Sequence, residues 1–127
     1  MRIILFLSLF FAALNAFADR CGVSGTYDLS GWEPTADFKK APSYTGTLVV
    51  SESNGTYRFE GSADGLIFFG KGLTNDCKSF AFSFSSADRR QYGVTLAIKD
   101  GQNFKVLWSY NLPNTSGPGK EIWKKRN

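Results

Sequence analysis

Apolar and polar residues alternate along most of this chain with a period of two, the spacing that sends successive side chains to opposite faces of a β-strand. In Gly25–Trp32, Tyr27 and Leu29 alternate with Thr26, Asp28 and Ser30. Thr56–Gly61 sets Tyr57 and Phe59 against Thr56, Arg58 and Glu60, and Ser79–Ser85 sets Phe80, Phe82 and Phe84 against serines and the small Ala81. Gln91–Lys99 groups Tyr92, Val94, Leu96 and Ile98, while Asn103–Tyr110 groups Phe104, Val106, Trp108 and Tyr110. Tyr44–Ser51 is rich in Thr, Leu and Val, which suit a pleated surface. Leu66–Leu73 begins apolar on both faces, and its Gly70 and Gly72 predict a bend or bulge. Glu121–Lys125 is a last short strand.

Turn chemistry separates these segments. Asn54-Gly55 and Asp100-Gly101 are sharp hairpin signals. Pro34 and Pro42 make Glu33–Ser43 a connection and not a strand, and Pro113 and Pro118 do the same before Gly119. No stretch after the first eighteen residues reads as helix. The pattern therefore predicts an all-β fold, an eight-stranded antiparallel up-and-down barrel, with a two-sheet β-sandwich as the alternative.

The first eighteen residues have a different character. Arg2 precedes an apolar run from Ile3 to Leu14, and Ala16-Phe17-Ala18 places small residues where a signal peptidase requires them. The run is short for a bilayer span, and Cys21 lies too far from the cleavage point for a lipoprotein. The expectation is a signal peptide over 1–18, cleaved after Ala18, and a single domain over 19–127 that is secreted or periplasmic and not stably inserted in a membrane. In an oxidising compartment Cys21 and Cys77 most simply pair as a structural disulfide. The formal charge of +4 gathers partly at Lys120, Lys124, Lys125 and Arg126. Elsewhere the signs interleave, so this reads as a solvated edge and no nucleic-acid partner is expected.

The order of glycines and aromatics resembles that of small exported bacterial proteins of uncharacterised role, with an avidin-like or lipocalin-like barrel. The matching pieces are Gly25-Thr26-Tyr27, Tyr44-Thr45-Gly46, Gly55-Thr56-Tyr57-Arg58-Phe59, Gly70-Lys71-Gly72, Gly93-Val94, Trp108 and Gly119-Lys120-Glu121-Ile122-Trp123. Such proteins tend to carry a glycine two residues before the Trp, where this chain has Val106. Biotin is not implied, because Gly25-Thr26-Tyr27-Asp28-Leu29 has neither the Trp nor the Asn of the avidin first strand.

With no histidine in the chain, His-dependent nucleophilic catalysis and His-ligated metal sites are excluded. Gly70-x-Gly72 lacks the following helix of a phosphate loop, so no cofactor is expected. Glu33 with Asp37, or Asp64 with Asp76, are the carboxylate pairs a weak hydrolase could use. The stronger candidate is the aromatic inner face, which is either a filled core or the lining of a slot for a small apolar or aromatic ligand. Its candidate residues are Tyr27, Tyr57, Phe59, Phe82, Tyr92 and Trp108, with Phe80, Phe84 and Phe104 on the same face. A role of another class is contact with an extracytoplasmic protein through Glu33–Ser43, with Trp32 as anchor or, alternatively, as a barrel cap. Ser24-Gly25-Thr26-Tyr27 resembles the S-G-x-x-Y loop of one group of exported lysozyme inhibitors, one residue short and without their Y-x-x-x-T-K-G motif. Asn54 and Asn114 stand in glycosylation sequons.

Overall fold

The computed structural model describes residues 19–113 and 117–127, so residues 1–18, expected to be a signal peptide, and the Asn114 sequon lie outside the described residues. Eight strands follow one another: β1 (Gly25–Trp32), β2 (Tyr44–Ser53), β3 (Thr56–Ala63), β4 (Leu66–Leu73), β5 (Ser79–Ser86), β6 (Tyr92–Asp100), β7 (Asn103–Tyr110) and β8 (Gly119–Lys125). Each pairs antiparallel with the next and β8 returns to β1, so the sheet closes into an up-and-down barrel and not a sandwich. Among the described residues no helix is long and apolar enough to cross a membrane.

Two-residue turns set the register. Asn54 and Gly55 take positive φ (53° and 82°), and Ser53 pairs directly with Thr56. Asp64 and Gly65 do the same (50° and 78°) between β3 and β4, which extends β3 beyond the end its alternation suggests. The turn after β6 is shifted by one residue from the sequence reading. Asp100 still pairs with Asn103, so the turn is Gly101–Gln102.

The interior is built by setting rings over glycines. β4 carries no bulge, since its residues pair one for one with β3 and β5. A side-chain carbon at Gly70 would strike the Phe59 ring, and one at Gly72 the Phe82 ring. These glycines make room for aromatics and do not bend the strand. Gly61 lies likewise against Phe68 and Gly119 against Trp108. Trp123 is the hub, with its ring centroid 5.4 Å from Phe59, 6.1 Å from Phe82 and 5.7 Å from Phe104.

The same economy of space reverses the expected faces of β6. Its neighbours send Phe80, Phe82 and Phe84 inward from β5, and Val106, Trp108 and Tyr110 from β7. Directly between them the register places Ala97, Thr95 and Gly93. Only small side chains fit between two rows of rings, so Tyr92, Val94, Leu96 and Ile98 face outward. Tyr92, expected in the interior, is 45% exposed.

The two ends of the barrel differ. At one, residues 19–24 pack against the core and are held by a Cys21–Cys77 disulfide with a Cα separation of 5.2 Å. Val23 is buried, and its carbonyl accepts the Tyr27 hydroxyl at 2.6 Å. The Cys21 N–H donates to the Tyr57 hydroxyl at 3.3 Å. Burial and the nearby Asp19 push the Tyr27 hydroxyl up to about 12. Desolvation opposes the charge on Asp19, but donors from Ser24, Val23 and Gly22 outweigh it and hold this carboxyl below its ordinary value. This end is plugged.

Candidate functional site

The opposite end is open. Here β1, β3, β5 and β7 finish and β2, β4, β6 and β8 begin, so their terminal inward side chains meet around a cavity of about 410 Å³. That size falls within the range of small-molecule sites. Its apolar wall is formed by Phe59, Phe68, Phe84, Trp108, Tyr44 and Tyr110, with Ala63 and Leu66 nearer the rim. The rings of Phe84, Trp108 and Tyr110 contact edge to face, with centroids 4.8 to 6.2 Å apart, an arrangement that fixes each ring by its neighbours.

Polar groups are few and specific. Glu121 stands in phase with Trp123 and Gly119 on β8, which directs its carboxylate inward. One oxygen accepts the Tyr44 hydroxyl at 2.5 Å and the other accepts the Trp123 indole N–H at 2.9 Å. Burial pushes the Glu121 carboxyl up; the Tyr44 and Trp123 donors pull it down in part, and Glu33 pushes it further up. Burial and the charges of Glu121 and Glu33 also raise the Tyr44 hydroxyl. The Trp108 indole N–H is close enough to Tyr44 to favour its anion, yet meets no acceptor in hydrogen-bond geometry, and Trp108 is only 7% exposed. A buried donor without a partner costs about 1–3 kcal/mol, and this nitrogen has almost no accessible surface, its ring edge lying against Gly119.

The rim is pinned by short loops. Ser86, almost fully buried, donates to Asp88 at 2.6 Å and accepts the Gln91 N–H at 3.1 Å, which secures the β5–β6 connection. Trp32 is 8% exposed and its indole N–H donates to the Lys40 carbonyl at 2.9 Å. It therefore ties down the Glu33–Ser43 loop from within and offers no exposed anchor to a partner. Above that loop, the Lys120 ammonium lies 5.6 Å from the Phe38 ring centroid.

Of the six residues that the alternation pattern marks as interior lining, Phe59 and Trp108 line this cavity. Tyr27 and Tyr57 belong to the plugged end, where their hydroxyls are engaged. Phe82 is buried beside Phe59 and Trp123, and Tyr92 is outside. Asp64 and Asp76, one of the two carboxylate pairs, are at opposite ends of the barrel. Asp64 lies at the open rim, whereas Asp76 sits in the β4–β5 loop at the plugged end, holding the N–H groups of Lys78 and Ser79. Asp37 turns back onto the Lys39 N–H at 3.0 Å. Sequence reasoning missed Tyr44 and Glu121 as lining residues. The available signal was strand phase, which places an ionisable residue on the inward parity of β8. Among the described residues no group of three His, Cys, Asp or Glu side chains is placed to hold a metal ion.

The outer wall has its own character. Leu73, Ala81, Leu96 and Leu107 pair in one row across β4 to β7, beneath a shallow groove of about 700 Å³. Small residues on β5 (Ala81 and Ser83) form its floor. This groove is broader and more open to solvent than the mouth, so the mouth is the better-built site.

Glu121 gives a testable pH effect. Its folded value is raised above the unfolded one, so the native state holds the proton more tightly. Its contribution to stability is fullest below the ordinary carboxylate range and is lost as pH rises to the raised value. Glu121→Gln keeps the local network: the amide oxygen accepts from Trp123, and the NH₂ donates to the Tyr44 oxygen. In urea unfolding at acid and neutral pH, the variant is expected to gain on the wild type as pH rises. A difference that does not change with pH would contradict the buried-carboxyl account.

No protein-family model, curated protein or solved structure matches this chain. Its closed antiparallel barrel of eight strands is the architecture of lipocalin-like and avidin-like proteins.

Proposed function

We propose that this protein is an exported, non-enzymatic binding module that holds one small, mostly apolar or aromatic molecule in the open mouth of its barrel. The observation that carries this reading is the asymmetry of the ends. A disulfide-tethered segment fills one end, while the other keeps a ring-walled cavity of about 410 Å³. Packing for stability alone would favour a filled mouth. Export is supported by the leader-like residues 1–18 and by the Cys21–Cys77 bridge, which persists in oxidising compartments. A binding role is favoured over hydrolysis because both oxygens of Glu121, the deepest carboxylate in the cavity, already accept hydrogen bonds.

Tryptophan fluorescence titrated with a panel of small hydrophobic probes is expected to change saturably with one site per chain. Trp108→Phe keeps an aromatic wall but removes the N–H. The smaller ring is expected to weaken hydrocarbon and oxygen-bearing probes alike by a few-fold, because it removes cavity wall and not an accessible donor. A panel without any saturable response would reject the proposal.

A further inference from the structure

The mouth is chemically one-sided. Among the described residues its ionisable carboxyls are Glu33 from the loop after β1, Asp64 from the β3–β4 turn and Glu121 from β8, and no lysine or arginine lines it. Lys120, next to Glu121 in sequence, is occupied on the Phe38 ring instead. The other titratable groups facing Glu121 are the hydroxyls of Tyr44 on β2 and Tyr110 on β7. The walls are the faces and edges of aromatic rings, whose negative faces attract a desolvated cation.

Resting on the binding reading above, we infer that the preferred ligand class is a small organic ammonium with an aromatic body. Its charge sits at Glu121 and Glu33, and its ring lies among Phe68, Phe84 and Trp108. An anion would meet three carboxyls without a counter-charge. A neutral analogue would fill the same walls and leave Glu121 as it is in the free protein. A cation beside Glu121 would favour its ionised form and offset the burial that opposes that charge.

The test is isothermal calorimetry of the mature protein with three matched probes: tyramine and its alcohol and carboxylate analogues, which share one phenol ring. Tyramine is expected to bind at least about tenfold more tightly than the alcohol, and the carboxylate more weakly than either. Glu121→Gln is expected to abolish most of the tyramine preference while the alcohol keeps its affinity. If that variant does not fold, Glu33→Gln at the exposed rim is expected to narrow the same preference by a smaller factor. Equal binding of tyramine and alcohol, or tighter binding of the carboxylate, would overturn the inference while leaving a binding cavity intact. Failure of all three probes in the folded wild type would overturn the inference and count against the binding reading as well.

Discussion

Reduction of the Cys21–Cys77 bridge, or its removal as Cys21→Ala with Cys77→Ala, is expected to lower the unfolding free energy by about 4 kcal/mol. The sequence separation of the two cysteines is 56, and cross-linking a loop of that length removes roughly this much conformational freedom from the unfolded chain. The physical consequence is local as well as global. Val23 and Cys21 are buried against the core, and their backbone groups occupy the hydroxyls of Tyr27 and Tyr57. Without the bridge, residues 19–24 are held to the barrel by these contacts and by the Lys125 ammonium, which donates to the Gly22 carbonyl at 3.2 Å. Urea unfolding with and without reductant gives the magnitude. Hydrogen exchange is expected to locate the earliest loss of protection at the plugged end, while the mouth stays protected. A change below about 1 kcal/mol would mean that residues 19–24 contribute little to closing the barrel.

Trp123→Ala is the second large effect, a loss of about 4 kcal/mol. This ring touches Phe59, Phe82 and Phe104, which come from three different strands, so its removal opens a void that no single neighbour can fill. It also deprives one Glu121 oxygen of its donor. Trp123→Phe separates the two contributions. It keeps most of the packing and loses the N–H, and about 1 kcal/mol is expected from the missing hydrogen bond. Equilibrium unfolding of both variants checks the division. A Trp123→Ala loss smaller than that of Trp123→Phe would contradict the placement of this side chain at the hub.

The strands were legible in the sequence because alternation survives wherever one face is packed and the other is wet. Phe80, Phe82 and Phe84, or Phe104, Val106 and Trp108, could be assigned inward without a structure, and the structure places them there. β6 shows where the pattern fails. Its larger apolar residues are on one parity, but the inward parity is decided by the rings of β5 and β7 on either side. That is a property of cross-strand register, and a single strand does not encode it. Gly70 and Gly72 were misread for the same reason, since the rings that require their smallness belong to β3 and β5. The two cysteines read correctly because composition alone limits their pairing.

The candidate site was less legible. Phe59 and Trp108 could be named, but Tyr44 and Glu121 lie 77 residues apart and meet only because β1 stands between β2 and β8 in the closed barrel. Trp32 had the composition of a contact residue, yet its hydrogen bond to Lys40 turns it inward. Which end of the barrel is open depends on residues 19–24 folding back onto the core, and no local pattern announces that.

The most direct test of an open, ligand-accepting mouth is the probe titration repeated on Ala63→Phe. Ala63 is nearly buried on the cavity wall between Gly46 and Leu66 on the flanking strands, where a ring would project into the space a ligand needs. A single saturable site in the wild type, lost in the variant while circular dichroism and the unfolding midpoint are maintained, is the predicted result. Probe binding that survives in Ala63→Phe with undiminished affinity would place any ligand elsewhere on the protein and contradict the account.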